Sequence, residues 1–221
     1  EERCRQETLL VQIGNNRDEH YRAVSTPVYF TTAFRHEKIG LHDGYDYTRT
    51  GNPTRAVLEE AVAKLERGSA AFATSSGMAA VQLVFSLFAA GDHFISIRDI
   101  YGGNYRLFET LAKKYQFTFS YWNGDSIADL EQLIQENTKA IFIESPTNPL
   151  MKTVDIKAIS KLTRTYNLVL IVDNTLFTPY IQQPLELGAD IVIHSATKYL
   201  AGHNDVLAGL VIAKDPALAE E

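Results

Sequence analysis

Cysteine is nearly missing from this chain: Cys4 is the only one in 221 residues. No disulfide can form within the chain, and a thiolate metal cluster has no ligands. Such a composition suits a reducing compartment, and the cytoplasm is the expected location. Long apolar runs are lacking too. The longest, over 81–90, is broken by Gln82 and Ser86 and is too short to span a bilayer. Arg3, Arg5 and three glutamates fall within the first seven positions, so no signal-peptide stretch is present there. Concentrated positive charge is the third absence. The net charge is −6 and the 21 lysines and arginines are scattered, which argues against a nucleic-acid surface and leaves room only for local phosphate sites.

What remains is the composition of an ordinary globular protein, 45% hydrophobic and 22% charged. A chain of this length makes one large domain or two small ones, with a sizeable core. Residues 1–50 show no clear alternation of elements, apart from a short helix over 7–13. From Asn52 the pattern changes. Asn52 can cap a helix with Pro53 in its first position, Val57, Leu58, Ala61, Val62 and Leu65 line one face, and Gly68 ends it. Strands are expected over 71–74, 94–98, 117–121, 140–144, 169–173, 191–195 and 209–213. Helices are expected over 78–90, 105–115, 127–136 and 156–166, with Ser126 and Asp155 as N-caps. Several strands are continuous apolar runs, as in strands buried on both faces. The order predicts an α/β domain with a mostly parallel seven-stranded sheet flanked by helices.

In such sheets ligands gather beyond the carboxyl ends of the strands, and the chemically informative residues fall there. Thr74-Ser75-Ser76-Gly77-Met78 joins a strand to a helix; Ser76 can cap that helix and Gly77 lets a ligand approach the backbone. The helix start suits a phosphate, although a plain strand–helix turn reads the same way. Asp173 closes an apolar strand, where a carboxylate needs a positive or hydrogen-bonding partner. A pyridinium N–H would serve, as would a metal or a helix cap. Lys198 follows the next strand, beside the hydroxyls of Ser195 and Thr197. Most lysines after a strand are solvated charges, but a lysine is also the side chain that forms an imine with a carbonyl. Tyr101, before Gly102-Gly103, can stack on a flat ring or simply pack in a turn. Asn148 stands between prolines, and Tyr47 and Arg49 precede the first long helix; each pattern also occurs in ordinary loops. His194 and His203 read as structural, with no spacing that supports a metal site.

Taken in order, Tyr47-Thr48-Arg49-Thr50-Gly51-Asn52-Pro53-Thr54, Ser75-Ser76-Gly77-Met78, Tyr101-Gly102-Gly103, Ser145-Pro146-Thr147-Asn148-Pro149, Asp173-Asn174-Thr175 and His194-Ser195-Ala196-Thr197-Lys198-Tyr199 resemble the Cys/Met-metabolism family of fold-type I pyridoxal-phosphate (PLP) enzymes, the cystathionine γ-synthase-like group. The resemblance implies pyridoxal 5'-phosphate as cofactor and a fold-type I large domain over 51–221, with residues 1–50 an arm reaching the neighbouring subunit's site. It implies that Lys198 holds the cofactor and later moves protons, that Asp173 pairs with the pyridine nitrogen, and that Tyr101 stacks on the ring. Asn148 would contact the phenolic oxygen. The amides of Gly77 and Met78, with Ser195 and Thr197, would hold the phosphate, and Ser76 and Thr175 complete the cofactor-binding set. Tyr47 and Arg49 would reach the phosphate of a second subunit in a dimer of dimers, with Tyr47 also near substrate. Arg106 would meet the substrate's distal end.

Gly103 stands where methionine γ-lyases commonly carry cysteine, and the stretches 101–108 and His203-Asn204-Asp205 look more like cystathionine γ-synthases and O-acetylhomoserine thiol-lyases. The expected activity is therefore γ-replacement on an O-acylated homoserine by cysteine or sulfide. A cystathionine γ- or β-lyase on the same scaffold is the alternative; a non-catalytic PLP-binding or assembly protein is disfavoured because Lys198, Asp173 and Tyr101 are all present. The chain begins without Met and stops at Pro216-Ala217-Leu218-Ala219-Glu220-Glu221, which reads as a helix just starting. A smaller C-terminal domain carrying the arginine for the substrate's α-carboxylate is expected beyond it, and the piece alone is expected not to turn over substrate.

Overall fold

Short apolar segments alternate with helices whose ends carry their own start and stop chemistry. The computed structural model describes residues 5–41 and 44–221, and Cys4 lies outside the described residues. Helix α1 (Gln6–Gln12) lies in the N-terminal arm. Helix α2 (Pro53–Glu66) starts as expected: the Asn52 side chain accepts the Thr54 N–H at 2.8 Å, and Pro53 takes the first position. Its end differs. Arg67, at φ 60°, makes the left-handed turn, whereas Gly68 is needed for closeness. A Cβ on Gly68 would come within 2.4 Å of Ile212 and 2.7 Å of the Ala213 carbonyl.

The strands are β1 (Ala70–Thr74), β2 (His93–Ile97), β3 (Thr118–Trp122), β4 (Thr138–Glu144), β5 (Val169–Asp173), β6 (Ile191–Ser195) and β7 (Gly209–Ala213). They form one seven-stranded sheet in the order β1-β7-β6-β5-β4-β2-β3. β2 through β6 pair in parallel, while β7 runs antiparallel to both β1 and β6. The expected mostly parallel α/β sheet is present, with one reversed strand.

The remaining helices are α3 (Gly77–Phe85), α4 (Gly102–Tyr115), α5 (Ile127–Gln132), α6 (Ile156–Tyr166), α7 (Thr178–Ile181), α8 (Pro184–Leu187) and α9 (Pro216–Glu220). Ser126 and Asp155 cap α5 and α6. The short α7 and α8 were not expected from the sequence. α3 and α5 also stop before the apolar pattern does: the amides of Leu87 and Leu133 turn back three residues, to the Val84 and Leu130 carbonyls, and side-chain oxygens take the amides beyond. Asp92 accepts the Ala89 N–H at 2.9 Å, and Thr138 accepts the Gln135 N–H at 2.7 Å. On the α3–α4 side the core is aromatic: the Phe85 ring lies 5.0 Å from both Phe94 and Phe108.

Candidate functional site

Six strands share one direction, so the carboxyl ends of β1, β4, β5 and β6 meet the start of β7 at a single edge. In register, Thr74 and Ser195 each face Gly209, and Glu144 faces Asp173. A cavity of about 540 Å³ opens at this edge. It is lined by Ser76, Gly77 and Met78 from the β1–α3 turn and by Tyr101 ahead of α4. Asn148 follows β4, Asp173 and Thr175 come from the end of β5, and Ser195, Thr197 and Lys198 from the end of β6. Ten residues singled out between Ser76 and Lys198 thus share one wall system. Tyr47, Arg49 and Arg106 do not line it. Tyr47 sits on the arm, bridged to Ala33, with the Arg49 guanidinium 5.1 Å from its ring centre. Arg106 is exposed on α4.

The side bounded by α3 is built by close backbone approach. Ser76 caps α3 by accepting the Ala79 N–H at 3.1 Å, and the amides of Gly77 and Met78 lie in the same first turn, where N–H groups have no intrahelical partner. A Cβ on Gly77 would lie 2.7 Å from Ser195 Cβ, so only glycine lets α3 begin against the end of β6. Gly209 was not singled out from sequence, yet it is tighter: a Cβ there would meet the Ser76 carbonyl oxygen at 2.1 Å.

The opposite side is acidic. The Thr175 hydroxyl and N–H donate to Asp173 Oδ1 at 2.6 and 3.0 Å, and the same hydroxyl accepts the Ser195 N–H at 2.8 Å. Thr175 therefore fixes the ends of β5 and β6 together. Burial raises the Asp173 pKa, opposed by the two Thr175 hydrogen bonds and by the nearby His194. His194 is itself buried, with Nε2 2.6 Å from Glu66 Oε1 at the last residue of α2. Asn174 Nδ2 donates to that same oxygen at 2.9 Å.

Lys198 begins a turn: its N–H donates to the Ser195 carbonyl at 3.2 Å, and its carbonyl accepts from Gly202 at 2.9 Å. Its side chain is exposed on the cavity wall. The Thr197 hydroxyl is braced against Ala208, donating to its carbonyl at 3.2 Å and accepting its N–H at 3.1 Å. The Asn148 loop is held by Asp99, whose carboxylate accepts from the Thr147 hydroxyl and, at 3.2 Å, from the Leu150 N–H.

Two further polar residues on the wall were not singled out from sequence. Asn104 is 2% exposed, and Glu144, 5% exposed, accepts the Tyr101 N–H at 2.8 Å. Glu144 closes an apolar strand just as Asp173 does, so the same signal was available for it. Burial first, and Asp173 next, push its carboxyl up to about 8. Among the described residues no group of three or more His, Cys, Asp or Glu could hold a metal ion. No helix among them is long and apolar enough to cross a membrane.

The same architecture occurs in known proteins. Cystathionine gamma-lyase from Lactobacillus plantarum, solved in complex with L-serine, superposes with a TM-score of 0.95 at 49% identity, covering 98% of this chain and 57% of that one. The cystathionine gamma-synthase/O-acetylhomoserine (thiol)-lyase of Bacillus subtilis (strain 168) is 56% identical over 97% of this chain and 58% of its own length. The cystathionine gamma-synthase of Haemophilus influenzae is 53% identical with the same coverage, 97% and 58%. The chain thus spans a little over half the length of the relatives it matches. A family model described as Cys/Met metabolism PLP-dependent enzyme matches residues 7–221, and the chain belongs to that family.

Proposed function

We propose that the cavity at the strand ends holds pyridoxal 5'-phosphate, and that the whole protein catalyses γ-replacement on an O-acylated homoserine. The acyl group would leave as a carboxylate and the sulfur of cysteine or sulfide would bond to the γ-carbon, giving cystathionine or homocysteine. One observation carries the cofactor reading: the first turn of a helix, a buried carboxylate and a primary amine line the same cavity. The residues suit the group. Gly77 and Gly209 keep Cβ atoms out of the anion-facing side. Both Thr175 bonds fall on Asp173 Oδ1, which leaves Oδ2 for a cationic N–H.

In this reading the amides of Gly77 and Met78, with Ser76, Ser195 and Thr197, hold the phosphate. Asp173 holds the ring nitrogen, supported by Thr175; Tyr101 covers the ring face and Asn148 meets the phenolic oxygen. When bound, the cofactor supplies an electron sink for charge developing at the substrate's α-carbon. The Lys198 amine anchors the cofactor and moves the proton at that carbon. Asp173, as a fixed negative charge, keeps the ring nitrogen protonated. Tyr47 and Arg49 belong to an arm that completes the site of a second copy in a dimer of dimers, and Arg106 meets the distal end of the substrate. The single cysteine supports a reducing, cytoplasmic setting for this chemistry.

The choice of γ-replacement is supported by the stretches 101–108 and 203–205; by identity the synthases, from 39% to 56%, bracket the lyase of known structure, at 49%. That last similarity favours a cystathionine lyase as the second reading. The PLP-loaded protein should show a visible absorbance band that Lys198→Ala abolishes; an unchanged band in the variant would refute the cofactor assignment. Product analysis with O-acetylhomoserine plus cysteine, against cystathionine alone, separates synthase from lyase. A band with turnover of neither substrate would mark a non-catalytic protein.

A further inference from the structure

Glu144 is the one strand-end carboxylate on the cavity wall to which the proposed function gives no role. It ends β4 in register with Asp173 at the end of β5, so the two side chains leave the same face of the sheet on adjacent strands. Adjacent parallel strands lie only about 4.8 Å apart, and two carboxylates that close in a buried wall share their protons. Glu144 Oε2 accepts the Tyr101 N–H at 2.8 Å, and the Asn148 backbone amide also bonds the carboxyl. These amides belong to the two loops whose side chains are assigned to the ring face and the phenolic oxygen.

We infer that Glu144 is a positioning residue of the cofactor site: its buried carboxyl ties the Tyr101 and Asn148 loops together and shares a proton with the neighbouring Asp173. The inference rests on the cofactor reading above. The charges around it agree. Asp173 faces Glu144 from β5, Asp99 from the β2–α4 connection, and both raise its pKa, with burial the larger cause. Lys198 and Tyr101 line the same cavity, and His194 on β6 acts on Asp173, favouring ionisation there. Burial raises both carboxyls, so the pair rather than either residue alone takes up the proton. Both loop amides need one buried acceptor, which an apolar residue at position 144 would not supply.

The test is a pH titration of the visible absorbance of PLP-loaded wild type, Glu144→Gln and Glu144→Ala, with cofactor affinity and thermal midpoint measured alongside. The wild-type band should titrate in two steps, one near pH 8. Glu144→Gln keeps an acceptor but cannot ionise; it should titrate in one step, with cofactor Kd within about threefold of wild type. Glu144→Ala removes the acceptor and should weaken cofactor binding by about tenfold or more. A single wild-type step, two steps retained in Glu144→Gln, or loss of cofactor in Glu144→Gln equal to that in Glu144→Ala overturns the inference. Absence of any visible band in the wild type overturns the cofactor assignment and this inference with it. A band present but unaltered in its pH response by Glu144→Gln overturns the inference alone.

Discussion

Gly77 and Gly209 are bound by one constraint, since the start of α3 can approach the ends of β6 and β7 only where neither residue carries a side chain. A methyl at position 209 would sit 2.1 Å from the Ser76 carbonyl oxygen, a backbone atom with nowhere to turn. Gly209→Ala should therefore destabilise the fold by about 1–3 kcal/mol, the usual cost of overpacking, and weaken PLP binding together with it. Thermal melts and a cofactor titration check both. Residues such as Asp173, Gly77 and Lys198 were legible because strand ends are where ligands gather, and each breaks an apolar or regular pattern at that point. Glu144 broke the pattern in the same way and was passed over beside the more conspicuous Ser145-Pro146-Thr147-Asn148-Pro149. Gly209 was not legible at all. Its role comes from a carbonyl more than a hundred positions earlier, and no local rule marks that approach.

At the scale of elements, α2 and β6 are joined by a buried polar contact as well as by packing. Glu66 ends α2 fully buried, and its Oε1 receives both His194 of β6 and Asn174 just after β5. Glu66→Ala strands two buried donors next to the Asp173 segment. A buried donor left unpaired costs about 1–3 kcal/mol, so the variant should unfold at clearly lower denaturant, while Glu66→Gln, which keeps an acceptor, should lose less. Chemical denaturation of the two variants reads the difference. Strand β5, strand β6, strand β7 and helix α6 matched their sequence patterns end to end, because buried apolar runs and strong caps leave little freedom. Helices α3 and α5 ran shorter than their apolar patterns: the amides of Leu87 and Leu133 turn back three residues, and Asp92 and Thr138 take later amides that periodicity alone assigns to the helix. The direction of β7 left no trace in its sequence. Val211 and Ile212 read equally well in a parallel or an antiparallel strand, and the reversal is set by which neighbours the sheet provides.

At the scale of the whole molecule, one source of acid sensitivity lies at the end of the sheet opposite the cavity. His93, fully buried at the start of β2, places Nδ1 2.7 Å from the Thr138 hydroxyl and Nε2 2.9 Å from that of Ser120, tying β2 to β3 and β4. Burial holds its pKa below the ordinary 6.5, so the folded protein keeps it neutral where the unfolded chain takes up a proton. Its contribution to stability is present above pH 6.5 and falls away as the pH drops toward the folded value. Unfolding free energy measured against pH should decline on the acid side in wild type, and the decline should be shallower in His93→Gln; equal slopes would remove His93 from the account. The sheet order has a further consequence for how the molecule comes into being. β1 has β7 as its neighbour in the sheet and stands at the sheet's edge, so residues 70–74 leave the ribosome long before 209–213 exist to receive them. The nascent chain must hold β1 without its sheet partner while five other strands are made. Gly77 reaches its seat against Ser195 and Gly209 only when β7 has been synthesised, so the α3 side of the cavity closes only after all seven strands exist.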